Sequence, residues 1–290
     1  MVASSDPPKT IDFRGVLNIS LAVVLFACAD ALAKYLGQFY PVPFLVWARY
    51  FAQLVGMVLV FAPKLGFDLV RTQNIRIQVA RGVLLLATTV LFFAALKLMP
   101  LADASAIAFA APMMVVALSS TILSECVGAK SWGGVIVGFA GVLVVLRPGF
   151  NSISPAMLLP VGSAFSYALY QILTRKLAGH ENILVMLFLP TLIGTLLSTL
   201  ALPLSFQVPT LSGGFALAGL GVLGGAAHFL LTKAFRTTPA SVLSPLMYTQ
   251  LGWAILLGYI LFDDLPSVTT MAGIAVIAAC GAYTVRAAQR

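Results

Sequence analysis

The stretch from Pro239 to Pro266, PASVLSPLMYTQLGWAILLGYILFDDLP, constrains this chain more than any other. It opens on a helix-starting proline, carries no charge until Asp263 and Asp264, and closes on another proline. A helix rises about 1.5 Å per residue, so the uncharged run is long enough to cross a hydrocarbon core of about 30 Å. Inside it lie Ser241, Ser244, Tyr248, Thr249, Gln250, Trp253 and Tyr259. Unpartnered polar groups are costly in hydrocarbon, so these residues predict contacts with other helices or a water-filled cavity.

A second segment matches the first. A shift of 139 residues (239 − 100) lays Pro100 on Pro239 and carries Lys97 onto Arg236, Ala95 onto Ala234, Ser105 onto Ser244, Glu125 onto Asp264 and Gly134 onto Gly273. Identities are sparse, but prolines, flanking charges and glycines keep register across three helices. Repeats of this kind mark many secondary transporters, whose substrate sites lie near the membrane midplane between the halves.

Composition extends that one span to the whole chain. Hydrophobic residues make up 60% of 290 and charged residues 9%, with a mean hydropathy of +1.02. Soluble domains average roughly 25% charged. Residues 1–13 read as a polar cytoplasmic tail. Gly15–Leu36 is too long for the core of a signal peptide, lacks a small-residue cleavage site and carries Asp30, so it reads as a retained first span. Nine more spans are expected over 43–62, 77–97, 101–123, 131–147, 154–176, 183–203, 212–235, 239–262 and 267–286.

Orientation follows from the basic residues, which gather in cytoplasmic loops. With the N-terminus inside, thirteen fall on the cytoplasmic side: Lys9, Arg14, Lys64, Arg71, Arg76, Arg81, Lys130, Arg175, Lys176, Lys233, Arg236, Arg286 and Arg290. Lys34, Lys97 and Arg147 fall outside, and Arg49 lies within the second span. Both termini are then cytoplasmic. The formal charge of +8 is spread over loops between spans, which assigns it to lipid headgroups and topology and argues against a nucleic-acid partner. The 139-residue shift carries spans 3–5 onto spans 8–10, five spans later. Five is odd, so the copies insert in opposite senses. The predicted fold class is an all-α polytopic membrane protein, with ten transmembrane helices in two inverted five-helix repeats, residues 14–147 and 148–290. Equivalent gates on both faces suit alternating access.

Asp30 and Arg49 each sit about six residues, roughly 9 Å, from the periplasmic end of their spans. An isolated charge at such depth costs about 2.5–3.5 kcal/mol on insertion scales, so each needs a partner. One reading is a structural ion pair, Asp30 with Arg49 or Asp30 with Lys34 one turn on; the other is a substrate or proton site at Asp30. Tyr167, Tyr170 and Gln171 in the sixth span, His228 in the eighth, and Gln250 and Trp253 in the ninth suit an aromatic, amide-lined pocket for an organic solute. Interhelical hydrogen bonding and aromatic packing would satisfy the same groups. Helical spacing puts Gln250 and Trp253 on one face and turns Tyr248 towards a neighbouring helix. Pro245 is expected to kink the ninth span. Gly134, Gly138 and Gly141, and Gly221 with Gly225, make small faces for close helix contact. Cys28, Cys126 and Cys280 lack metal-ligand spacing and read as small buried residues. Asp103, in the first turn after Pro100, suits a helix N-terminus.

Nothing in the chain resembles a nucleotide-binding loop, a zinc-protease helix or a paired catalytic carboxylate. The prediction is therefore no enzyme, no cofactor and no metal. The runs MPLADASAIAFAAPMMVVALSSTILSE and WGGVIVGFAGVLVVLRPG resemble the first half of EamA-type transporters of the drug/metabolite transporter superfamily. FSYALYQILTRKL and ASVLSPLMYTQLGWAILLGYILFDDLP resemble the second half, and the likeness covers Val16 to Val285. It implies ten helices, a central cavity lined mainly by helices 1, 3, 4, 6, 8 and 9, and a bacterial inner membrane. Members move amino acids, nucleosides, cofactors and drugs, so it implies little about substrate. The acidic residue ending helix 9 is commonly Glu in that family and is Asp264 here. The function expected is a secondary transporter exporting small organic metabolites such as amino acids, as a monomer or homodimer among membrane lipids. The alternatives are proton-coupled uptake, multidrug transport or, in a different class, a membrane-embedded enzyme.

Overall fold

A computed structural model describes residues 13–122, 129–146, 155–177, 181–237, 243 and 246–288. The regular elements among them are helices: α1 (Phe13–Leu36), α2 (Val42–Leu65), α3 (Ile75–Leu98), α4 (Leu101–Ala108), α5 (Ala111–Ile122), α6 (Ala129–Leu146), α7 (Leu158–Leu177), α8 (Ile183–Ser205), α9 (Leu211–Thr237), α10 (Thr249–Phe262) and α11 (Val268–Ala288), with two short 3₁₀ turns. Among the described residues, seven helical stretches are long and apolar enough to cross a membrane. Shorter apolar helices, Val135–Val145, Thr249–Phe262 and Val268–Cys280, stand where the fifth, ninth and tenth spans were expected. The chain is a multi-pass, all-helical membrane protein.

The fourth span departs from expectation. It was read as one helix over 101–123, yet α4 ends at Ala108 and α5 begins at Ala111. Pro112 supplies the reason. It has no N–H to give the Ala108 carbonyl, and its ring crowds that carbonyl, so the ladder breaks there. Tighter bonds bridge the break, from Ala110 N to Ile107 O at 3.0 Å and from Met113 N to Ala110 O at 3.1 Å. On the ninth span, Pro239, Ser244 and Pro245 lie outside the described residues, as do Glu125 and Cys126; α10 begins just beyond them.

The packing is inverted relative to a soluble bundle. α1 buries Ala22, Ala27, Ala29, Ala31 and Ala33 and turns Leu17, Leu21 and Tyr35 outward. Lipid tails are as apolar as leucine, so association rests on close backbone approach, which small residues allow. Gly221 of α9 shows the limit of that approach. A Cβ there would stand 2.5 Å from Ala52 Cβ and 2.7 Å from the Arg49 carbonyl oxygen of α2. Gly141 of α6 meets Ile277 and the Gly273 carbonyl of α11 in the same way.

Through these contacts α9 packs on both α1 and α2, and α3 packs on both α7 and α8. α1 also meets α10, α5 meets α7, α2 meets α8, α6 meets α11 and α4 meets α10. The largest core gathers Phe44, Leu45, Leu85, Phe93, Leu96, Leu101, Tyr170 and Leu220 from five helices. Polar side chains collect beside it.

Candidate functional site

Asp30 is half-buried on α1. Its partner is Gln250, in the first turn of α10, whose Nε2 donates to Asp30 Oδ2 at 3.2 Å. The expected ion pair with Arg49 does not form, and neither does the one with Lys34. Equal depth fixed the height of Asp30 and Arg49 but not their direction. α9 packs on both α1 and α2, and the Arg49 side chain turns to α3 and α9.

There its Nη1 donates to Thr89 Oγ1 at 2.8 Å. Thr89 is free to accept because its own hydroxyl proton goes back to the Leu85 carbonyl at 2.9 Å. The Tyr50 hydroxyl shares the same Thr89 oxygen at 3.1 Å. The rings of Tyr50 and Phe93 stand 5.7 and 5.6 Å from the guanidinium carbon, at cation–π distance. On the α9 side the guanidinium lies against Gly224, where a Cβ would be 3.1 Å from Nε. His228 sits one turn beyond Gly224 with its ring edge-on to Phe26 of α1, centroids 4.9 Å apart. The 224–228 stretch of α9 thus touches Arg49 of α2 and Phe26 of α1, the latter one turn before Asp30.

Tyr167 stacks on Tyr170 with centroids 5.9 Å apart, and Tyr170 leads to a second guanidinium. Arg81 of α3 is 1% exposed. Its Nε donates to Thr174 Oγ1 at 3.0 Å, and its Nη2 donates to the Met186 carbonyl at 3.1 Å and to the Tyr170 hydroxyl at 3.3 Å. Its Nη1 donates to Gln78 Oε1. Arg81 had been counted among the loop cations that report topology. It is instead a buried clamp joining α3, α7 and α8, six residues (81 − 75) past the start of α3. The remaining loop cations keep the same bias.

Gln171 is half-buried beside Tyr170. Trp253 is not gathered into the cluster. It is 38% exposed, on the arc of α10 that also exposes Leu256 and Ile260, whereas Leu251, Ala254 and Gly258 face inward. Tyr248 turns to its neighbour as expected and packs on Phe109 at the break between α4 and α5, with centroids 5.6 Å apart.

A separate polar group closes one end of the bundle. Lys34 Nζ, at the end of α1, donates to the Met99 carbonyl past the end of α3 at 2.7 Å and lies 3.2 Å from Asp264 Oδ2. Asp264 is held in place by the end of α10. Asp263 adopts a left-handed conformation with φ 56°; its N–H bonds the Tyr259 carbonyl and that of Asp264 bonds the Gly258 carbonyl, a left-handed helix end. A surface cavity of 770 Å³ opens beside Lys34, Gln38, Tyr259 and Asp264. Asp103, at the start of α4, accepts from Thr270 of α11 at 2.9 Å. Cys28 is half-buried and Cys280 buried.

The arrangement can hold and orient a polar solute. Among the described residues no three His, Cys, Asp or Glu side chains come together as a metal site would need.

Comparison with known proteins agrees with this reading. The chain is 28% identical to the S-adenosylmethionine uptake transporter of Rickettsia prowazekii, over 94% of this chain and 92% of that protein. It is 28% identical to a riboflavin transporter of Vibrio cholerae, over 91% and 90%. It is 26% identical to a pseudopaline exporter of Pseudomonas aeruginosa, over 92% and 94%. A solved crystal structure superposes with a TM-score of 0.66 over 96% of both chains at 22% identity, a likeness of fold. The profile of the EamA-like transporter family matches residues 13–147 and again 154–286. With both halves matched, the chain belongs to the EamA-like transporter family.

Proposed function

We propose that this protein is a secondary transporter of small organic metabolites, working by alternating access between two inverted five-helix halves, with amino-acid export as its activity. One observation carries the proposal: Asp30 and Arg49 stand on helices of an apolar bundle, each held by a neutral side chain and neither in an ion pair among the described residues. Charges at that depth persist where they serve a substrate or ion path. Asp30, Gln250, Tyr167, Tyr170, Gln171 and His228 are assigned to its wall.

The helix pairing supports the halves. Exchanging each span with the one five places on turns the α1–α9 contact into α7–α3, α2–α9 into α8–α3, and α1–α10 into α7–α5. It returns α2–α8, α6–α11 and α4–α10 to themselves, and all of these contacts exist. The Phe109–Tyr248 contact joins residues 139 apart (248 − 109), the sequence shift of the repeat, as expected beside a two-fold axis. Inversion follows from the odd number of spans in the shift. The basic-residue bias supports cytoplasmic termini, and the reading sets the protein in an inner membrane.

Uptake is the second reading, favoured by the S-adenosylmethionine uptake transporters among the relatives. The test is exchange of labelled amino acids, S-adenosylmethionine, nucleosides and riboflavin by the purified protein in vesicles. Exchange of an amino acid above protein-free vesicles is expected. In cells, faster efflux from a loaded strain supports export, and accumulation supports uptake. Exchange of none of the probes overturns the transporter reading.

A further inference from the structure

We infer that Arg49 and Asp30 are the two poles of a headgroup site for zwitterionic solutes, Arg49 holding the carboxylate of an α-amino-acid group and Asp30, with Gln250, holding its ammonium. This rests on the transporter reading and names the chemistry its substrate must present.

The inference begins with unspent hydrogen bonds. A guanidinium carries five N–H donors. Arg81 directs its donors to four acceptors on three helices and is sealed from solvent. Arg49, half-buried, makes one hydrogen bond among the described residues, to Thr89. The flanking Tyr50 and Phe93 rings hold the plane of the group but accept no N–H in that geometry. Asp30 is unspent in the same way: Oδ2 accepts from Gln250, and Oδ1 has no partner among the described residues. The one carboxylate–ammonium pair of the described residues is Lys34 with Asp264, so Lys34 is already committed.

Two opposite charges with free valence, held apart by neutral partners, ask for a ligand that answers both. A monocarboxylate would satisfy Arg49 in the bidentate manner and leave Asp30 bare. An amine would do the reverse. A zwitterion answers both poles and carries no net charge of its own at the headgroup. On the α9 side the guanidinium rests directly against the helix, because residue 224 is glycine and any larger side chain would press on it. Neither pole has a loop's freedom to retreat, since both stand on packed helices.

The test uses the full chain in vesicles. The most rapidly exchanged zwitterion, among the twenty amino acids and S-adenosylmethionine, is compared with its decarboxylated analogue in wild type, Arg49→Gln, Arg49→Lys and Asp30→Asn. Arg49→Gln is expected to slow the zwitterion at least tenfold, with Arg49→Lys falling between. The decarboxylated analogue should move at least tenfold more slowly than its parent in wild type and be unaffected by Arg49→Gln. A general loss of folding would slow both compounds alike, and sensitivity confined to the carboxylate-bearing one separates the two. Equal exchange of the zwitterion by wild type, Arg49→Gln and Asp30→Asn overturns the inference. So does exchange of riboflavin with no zwitterion moved, which leaves the transporter reading standing. Vesicles that exchange no probe overturn the transporter reading instead.

Discussion

Two arginines in neighbouring helices show how differently one residue type is used. Arg81 spends its donors on Thr174, Gln78, Tyr170 and the Met186 carbonyl, so removing it orphans four acceptors inside the bundle. A hydrogen bond to a charged group is worth about 1.5–3 kcal/mol, and breaking a buried charged network costs about 3–5 kcal/mol. Arg81→Ala is therefore expected to lower the thermal midpoint of the detergent-purified protein by many degrees. Arg49→Ala should change it far less, because one bond to Thr89 is lost; equal shifts would contradict this division. The sequence showed both arginines but not the division. Asp30 was legible as a buried charge in an apolar run, and Gln250 as a polar residue in another. Which of them meet depends on helix rotation, and a lipid-facing helix is apolar on every side, so its sequence barely marks which face turns inward. Trp253 was misdirected for that reason: it shares the Gln250 side of α10 by spacing, yet lies on the exposed arc.

At the scale of helices, glycines set how near neighbours approach, and here sequence reading did better. The pair Gly221 and Gly225 marks a close helix contact from spacing alone; the structure makes α2 the partner, and the two positions are unequal. A Cβ at Gly221 meets backbone, the Arg49 carbonyl oxygen at 2.7 Å and the Gln53 nitrogen at 2.8 Å. At Gly225 it meets the flexible Gln53 side chain at 3.1 Å. Backbone in a packed helix cannot step aside, so Gly221→Ala must push α9 from α2, at the cost of about 1–3 kcal/mol typical of overpacking. Gly225→Ala, with only a side chain to move, should be close to neutral. Melting of the two variants side by side checks this, and an equal loss would count against it. The break in the fourth span was as visible in principle, since Pro112 stands in its middle. The expectation of a continuous helix gave more weight to hydrophobic length than to the missing N–H.

For the whole molecule, ten apolar segments were legible because a bilayer sets a minimum length for each, whereas the pairing of distant ends was not. Lys34 and Asp264 are 230 residues apart (264 − 34), and each reads from sequence as an ordinary charge flanking a span. In the fold Lys34 ties the ends of α1, α3 and α10 together. Its ammonium meets the Met99 carbonyl at the C-terminal end of α3, where a cation also suits the helix dipole, and the Asp264 carboxylate. The two side chains are 14% and 28% exposed, so water reaches the pair and its worth is modest, about 0.6–1.4 kcal/mol. In an alternating-access protein that is enough to shift a population, because the closed and open states need differ by only a few kcal/mol. Cys28 offers a native reporter, half-buried on α1 six residues before Lys34 (34 − 28), roughly 9 Å along the helix. With Cys126 and Cys280 replaced by serine, a membrane-impermeant maleimide added from the Lys34 side should label Cys28 about threefold to tenfold faster in Lys34→Gln than in the parent. Exchanging the charges, Lys34→Asp with Asp264→Lys, should bring labelling back towards the parent rate, although the bond to the Met99 carbonyl is lost. Labelling that is the same in all three proteins would show that this ion pair does not hold the end closed.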